Sequence, residues 1–155
     1  MIKESNLNQY YAEIAHKLND IIPEEWKKII LYAEDLGDVS STSFYFHTKE
    51  DNAIHYSGNI PEEFSVSKDE FRILLRELRS IIRSFRNEFE KEHEELWYTL
   101  TFILDESWRF KADFGYEIDE EKGYLEREII WAYENIGLVP EEEFGREVLK
   151  EYLGI

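Results

Sequence analysis

Cysteine is absent from the sequence, so the chain can form no disulfide, bind no metal through a thiolate and use no cysteine nucleophile. This composition suits a reducing compartment such as the cytosol. Long apolar runs are also missing, since none approaches the ~20 residues that a bilayer-spanning helix needs. The first stretch, MIKESNLNQYYAEIAHKL, is amphipathic rather than typical of a secretion signal. We therefore expect a soluble, cytoplasmic protein without a membrane partner.

Glycine is scarce, and its spacing excludes the common phosphate-binding loops. Only seven glycines are present, and none lies in the G-x-G-x-x-G or G-x-x-x-x-G-K pattern that lets backbone amides contact phosphates. The Gly-x-Ser-x-Gly turn that presents a nucleophilic serine is missing as well. The sequence therefore predicts no cofactor, no catalytic residue and no enzymatic activity.

Basic side chains are few compared with acidic ones. Lys and Arg number 18 against 35 Asp and Glu, which gives a net charge of −17. Residues 1–66 contain 5 basic and 12 acidic side chains, residues 67–92 contain 7 and 6, and residues 117–155 contain 4 and 12. Such a chain repels nucleic-acid phosphates and anionic lipid and attracts basic proteins. We expect a basic protein partner and no direct binding to nucleic acid.

Large apolar side chains are abundant in spite of this charge. Hydrophobic residues make up 43% of the 155 residues and aromatic residues 15%, which is too much apolar surface for a disordered chain. No repeat, low-complexity tract or flexible linker divides the sequence. We therefore predict one domain, 1–155, built around a single core.

The first half of the chain predicts a helix, three strands and a long helix. Apolar residues at helical spacing indicate a helix over 7–22 that ends at Pro23. The segments KKIILYAED, TSFYFHT and AIHYSG are typical of antiparallel strands. Ser67 and Glu70 have the spacing of a capping box, which starts the long helix. Its predicted apolar face comprises Phe71, Leu74, Leu75, Leu78, Ile81, Ile82, Phe85 and Phe89.

The second half predicts a hairpin followed by two helices. LWYTLTFIL and RFKADFGYE are joined by DESW, and we expect Phe110, Ala112 and Phe114 to face the core. A helix over 122–136 is expected to end at Gly137. Pro140 is expected to start a last helix that runs through Tyr152. The predicted packing positions of these two helices are Leu125, Ile129, Trp131, Ala132, Ile136, Phe144, Val148 and Leu149.

The resulting element order is αβββαββαα. Runs of strands and helices in this order predict the α+β class, with an antiparallel sheet packed against helices.

The four histidines show no catalytic spacing and no metal-binding motif. His47 and His55 lie on strands predicted to be neighbours, so the two rings could approach each other. A structural zinc site needs four ligands rather than two. An ordinary pair of surface or partly buried histidines is therefore favoured over zinc, and we predict no metal site.

Five arginines form a stripe along the long helix: Arg72, Arg76, Arg79, Arg83 and Arg86. Such a row could bind phosphates. It also borders the apolar face, where the aliphatic stems cover hydrophobic surface and the guanidinium groups meet carboxylates. This structural role is favoured. Trp131 and Tyr133 fit either an interface or the core.

An acidic segment follows the predicted hairpin, and three roles are open to it. Its acids do not match the D-x-[DN]-x-[DN]-G calcium loop, and a catalytic carboxylate pair would need a cleft that the sequence cannot show. A solvated surface or a partner-binding face is therefore favoured over metal binding or catalysis. We predict contacts with a basic protein partner at Asp113, Tyr116, Glu117, Asp119 and Glu120.

Four phrases in fixed order resemble the YezG-like family of bacterial immunity proteins. They are YYAEIAHKLNDIIPEEWKKIILYAED, FYFHTKEDNAIHYSGNIPEEFSVSK, LWYTLTFILDESWRFKADFGYE and YLEREIIWAYENIGLVPEEEFGREVLKEY, which span about residues 7 to 153. The resemblance implies a non-enzymatic cytoplasmic antitoxin. It would bind the C-terminal nuclease domain of a secreted LXG or type VII toxin and keep it inactive in the producing cell.

Two rival functions share some of these features. An acidic adaptor or chaperone-like module would escort a basic partner without inhibiting it. A carboxylate-based metal enzyme would bind divalent ions, and ion binding would raise its thermal stability in a concentration-dependent way. The oligomeric state is left open, because the free edges of a small sheet permit a dimer without requiring one.

Overall fold

The computed structural model describes residues 1–155, which divide into two compact units, Met1–Glu117 and Ile118–Ile155. The elements are α1 (Glu4–Ile21), β1 (Trp26–Asp35), β2 (Ser40–Thr48), β3 (Ile54–Tyr56), α2 (Ile60–Glu63), α3 (Lys68–Lys91), β4 (Thr99–Asp105), β5 (Phe110–Gly115), α4 (Tyr124–Ile136) and α5 (Glu143–Leu153). The predicted α+β class and order are confirmed, with the short α2 as an addition. That the whole chain is one domain stays a prediction.

The first unit contains a five-stranded antiparallel sheet with the order β3-β2-β1-β4-β5. Because side chains alternate along a strand, every second residue of β1 faces the same side. Ile29 lies between Phe46 and Leu104, and Leu31 lies between Phe44 and Phe102. These cross-strand rows form the apolar face on which the helices pack.

Helices α1 and α3 cover that face and complete the core. Ile14 and Leu18 of α1 and Leu78 and Phe85 of α3 are fully buried. Phe85 lies at the centre of an aromatic cluster, with ring centroids 5.0 Å from Tyr10 and 5.9 Å from Trp97. The Ser67 hydroxyl accepts a hydrogen bond from the Glu70 amide at 3.3 Å, as the capping-box spacing predicts. None of the helices is both long enough and apolar enough to cross a lipid bilayer.

Two details of the predicted strands are wrong. Ser57 and Gly58 belong to a 3₁₀ turn that leads into α2, so β3 is only three residues long. Phe110 lies on the core-facing side of β5, opposite Leu104, yet it remains 45% exposed. The reason is its position on an edge strand, where no further strand covers the outer side of the ring. The rings of Tyr11 and Phe102 lie beside it, at 4.7 and 5.4 Å.

Arg83 and Arg86 of the arginine stripe have the predicted structural role. Asp35 is 1% exposed at the end of β1, and it accepts hydrogen bonds from Arg83 Nε at 3.1 Å and Nη2 at 2.9 Å. Arg86 is buried, donates to the Trp97 carbonyl at 2.7 Å and places Nη1 3.9 Å from Asp35. Arg72 is exposed and pairs only with Asp69 of the same helix, at 4.0 Å.

The second unit consists of α4 and α5, which pack against each other. Gly137 ends α4 with φ +75°, as predicted, because a left-handed residue there closes the helix. Trp131, Ala132, Val148 and Leu149 are buried as expected.

Three predictions in the second unit are wrong. Leu125 and Phe144 are 55% and 49% exposed, so they do not face inward. Helix α5 begins at Glu143 rather than at Pro140. Pro140 instead lies against Gly145, where an added Cβ would stand 2.4 Å from the proline Cβ, so that this close approach requires glycine.

Candidate functional site

Three of the five predicted contact residues belong to the first unit. Asp113 lies on β5 opposite Thr101, and its side chain is 59% exposed and 3.6 Å from the Lys111 ammonium. Tyr116, just beyond β5, is 43% exposed. Burial raises the pKa of Tyr11, and the neighbouring Tyr116 raises it further. Glu117 is exposed. These three side chains, on β5 and just beyond it, are therefore accessible to a partner.

The other two, Asp119 and Glu120, belong to the second unit and are also exposed. Hydrogen bonds from the Lys122 ammonium, 3.1 Å away, and from the Glu121 amide lower the pKa of Asp119. Asp119 thus remains a carboxylate and shapes the loop before α4. Glu120 presents its charge to solvent.

These acids are not arranged as a metal site. No group of three or more His, Asp or Glu side chains is placed so that it could hold a metal ion. His47 pairs with Ile54 and His55 with Phe46 across the β2–β3 ladder, which places the two imidazoles on opposite faces of the sheet. The expectation that they could approach each other is therefore wrong.

His55 is instead held between two carboxylates at the β3 edge. Its Nδ1 lies 2.8 Å from Glu63 Oε2, and its Nε2 lies 3.2 Å from Asp51 Oδ1. Burial lowers the pKa of His55, but the hydrogen bonds and charges of Glu63 and Asp51 outweigh burial and raise it above the ordinary value of 6.5. The His55 imidazole consequently ties the β2–β3 loop to α2.

Replacement of His55 by Gln should therefore change the pH dependence of stability. Because the folded pKa is raised, the stabilisation is fully present below about pH 6.5 and is lost as pH rises through the folded value. At pH 6 we expect His55→Gln to lower the free energy of unfolding by about 1 kcal/mol, with a smaller loss at pH 9. Urea unfolding across this range measures the difference. His47→Gln is the control, and an equal pH profile in both variants would contradict the assignment.

Trp108 is a surface residue that the sequence did not single out. It lies in the β4–β5 turn with φ +64° and is 41% exposed. Its ring centroid is 5.0 Å from that of His16 and 5.8 Å from that of Trp26. A cleft of about 140 Å³ opens beside it, lined by Asn19, Glu25, Trp26, Lys49, Glu106 and Trp108. The β5 edge therefore has an aromatic end and an acidic end.

Within the second unit, acids outnumber bases eleven to four. The four basic side chains already have partners inside that unit. Lys150 lies 3.7 Å from Glu147, and Lys122 pairs with Asp119. Arg127 and Arg146 donate to backbone carbonyl groups. The unit consequently presents a strongly negative surface, on which Arg146 and Lys150 are also exposed.

Comparison with known proteins identifies relatives over nearly the whole chain. The model of the family described as "Immunity protein YezG-like" matches residues 7–150. The chain is 45% identical to the immunity protein YezG of Bacillus subtilis (strain 168) over 152 residues, or 96% of this chain and 100% of the relative. The immunity protein YezG of Bacillus spizizenii is 40% identical, over 95% of this chain and 92% of the relative.

A more distant relative is the type VII secretion system protein EsaG of Staphylococcus aureus. It is 30% identical over 154 residues, which cover 97% of this chain and 94% of that protein. Together these matches confirm the resemblance seen in the four sequence phrases.

Proposed function

The chain belongs to the YezG-like family of immunity proteins, and we propose that it binds and inhibits a secreted nuclease toxin in the cytoplasm of the producing cell. Family membership supports the immunity role, which implies a cognate toxin as partner. The relative named as a type VII secretion system protein supports a toxin secreted by that route.

The net charge of −17 is the observation that most favours a nuclease as the toxin. A nuclease must hold phosphates and therefore presents a basic surface to its substrate. A strongly acidic protein is steered toward such a surface and competes with nucleic acid for it. The inhibitor needs no catalytic group of its own, because occupying or distorting the nuclease suffices.

The acidic segment is our proposed face for this encounter. Asp113, Tyr116 and Glu117 are exposed in the first unit, and Asp119 and Glu120 are exposed in the second. Exposed charges of this kind chiefly set the association rate and specificity, whereas affinity comes from desolvated anchor residues. We therefore expect a kinetic effect when the acids are neutralised.

The triple variant Glu117→Gln/Asp119→Asn/Glu120→Gln tests this face. We expect association with the toxin to slow by about tenfold at low salt, and the salt dependence of the rate to flatten, because steering is electrostatic. Stopped-flow or surface-based kinetics at several salt concentrations gives both quantities.

The variant Glu141→Gln/Glu142→Gln/Glu143→Gln is the matched control, since it removes three exposed acids and changes the net charge equally. An equal slowing in both variants would show that the association rate depends only on total charge. The acidic segment would then not be the face that the toxin approaches. If the unmodified protein binds no toxin at all, the proposed function is wrong.

A further inference from the structure

We propose that Trp108 is a principal anchor for the toxin, and that its indole ring and the adjoining cleft receive a basic side chain, Lys or Arg, of the toxin's nuclease domain. This inference rests on the proposed function, because it names the contact through which the toxin is held. It concerns the opposite end of β5 from the acidic segment.

The backbone at Trp108 favours a residue other than tryptophan. The turn is held by Asp105, whose carbonyl accepts the Trp108 amide at 2.9 Å and whose carboxylate accepts the Ser107 and Arg109 amides at 2.8 and 3.1 Å. At φ +64° the turn places its last residue in the left-handed region, which glycine or asparagine adopts readily and a bulky side chain does not. Conformations of this kind concentrate at functional sites.

The side chain of Trp108 also exposes apolar surface to solvent. Trp108 is 41% exposed although it is the largest apolar residue type, and Phe110 beside it in sequence is 45% exposed. His16 and Trp26 support one part of the indole ring and hold it in place. A fixed, half-exposed tryptophan has the properties of a binding hot spot, since little conformational entropy is lost when a partner covers it.

The cleft beside the ring identifies the chemistry of the occupant. Its volume of about 140 Å³ suits a single side chain rather than a peptide segment. Its lining residues include the acidic Glu25 and Glu106, and its one basic residue, Lys49, lies 4.0 Å from Glu106. A guanidinium or ammonium group placed here would gain cation–π attraction from the indole and ion pairing from the glutamates. A basic nuclease surface supplies such a group.

The sheet extends this contact toward the acidic segment. β5 is an edge strand, and it runs between Trp108 and Tyr116. At the usual rise per strand residue, these two residues are about 25 Å apart. Standard interfaces bury ~800 Å² on each partner, which is enough to span that distance. Trp108 would provide affinity at one end while the acids steer association at the other.

The test measures the dissociation constant for the nuclease domain of the cognate toxin. We expect Trp108→Gly to weaken binding ~30-fold or more, as hot-spot truncation does. Its urea unfolding midpoint should stay near that of the unmodified protein. Glycine relieves the backbone strain at this position, and this gain offsets the loss of the contacts with His16 and Trp26. Trp108→Asn, which also tolerates this backbone conformation, should weaken binding equally. Phe144→Ala is the control, since Phe144 is 49% exposed and belongs to the second unit.

The double variant Glu25→Gln/Glu106→Gln tests the charge of the occupant. We expect it to weaken binding about tenfold and to reduce the salt dependence of the dissociation constant. A different result would be that the tryptophan variants lose affinity while the double variant keeps the salt dependence of the unmodified protein. That result would overturn the proposal that a basic side chain occupies the cleft.

Unchanged affinity in both tryptophan variants would overturn the anchor while leaving the proposed function intact. Absence of binding by the unmodified protein would instead overturn the proposed function, and the anchor with it.

Discussion

Replacement of Asp35 by Ala is expected to lower the free energy of unfolding by about 3 kcal/mol, because it removes one partner of a buried ion pair. The carboxylate is 1% exposed and accepts two hydrogen bonds from Arg83. It also accepts the Gly37 amide at 2.9 Å, which holds the β1–β2 turn. Arg83 can turn toward solvent when Asp35 is lost. Arg86 is buried and would remain as an uncompensated charge.

Urea unfolding of Asp35→Ala and of Asp38→Ala measures this effect with a matched control. Asp38 lies three residues away and is exposed, so the same chemical change should alter stability by less than about 0.5 kcal/mol. A loss below about 1 kcal/mol in Asp35→Ala would show that the Asp35–Arg83–Arg86 contacts contribute little net stability, as some buried ion pairs do.

Most of the first unit could be predicted from sequence because several local signals agree there. The long helix has a capping serine, eight apolar positions at helical spacing and no internal proline. The central strands are rich in β-branched and aromatic residues and alternate between the two faces of the sheet. Signals that reinforce each other leave few alternative structures.

The second unit was predicted less well, and the reason is physical. Periodicity places Leu125 and Phe144 on apolar stripes of α4 and α5, but it does not show how much of each stripe a partner helix covers. Proline at the first helical position is a preference rather than a rule. Pro140 lies before α5 because its ring fills the space that Gly145 leaves open.

In the candidate site, too, the sequence predicts some features and does not predict others. Exposed acids in a loop can be predicted, since charge and turn residues are visible in the sequence. Burial of Asp35 could not be predicted, because its partner Arg83 is 48 residues away along the chain. The left-handed backbone at Trp108 was equally hidden, because the turn DESW contains no glycine to mark the position.

An acidic surface by itself does not distinguish an inhibitor from an adaptor. Both would bind a basic toxin quickly, and both would show salt-dependent association. They differ in the state of the bound nuclease, which an adaptor leaves active and an immunity protein does not. The activity of the complex therefore tests the account more directly than its affinity does.

We accordingly expect complete loss of nuclease activity when the toxin's nuclease domain is mixed with an equimolar amount of this protein. The physical reason is that a bound acidic protein excludes nucleic acid from the basic surface that must hold it. At toxin concentrations well above the dissociation constant, residual cleavage should fall linearly with added protein. By mass action it should drop below about 1% once the excess of this protein exceeds the dissociation constant about 100-fold.

The decisive measurement is this titration at physiological salt, with cleavage of DNA and of RNA followed in parallel and complex formation confirmed by size-exclusion chromatography. A sharp equivalence point at which cleavage ends is the result that the immunity account predicts. A complex that forms stoichiometrically and still cleaves nucleic acid at the full rate would contradict it and identify the protein as an adaptor.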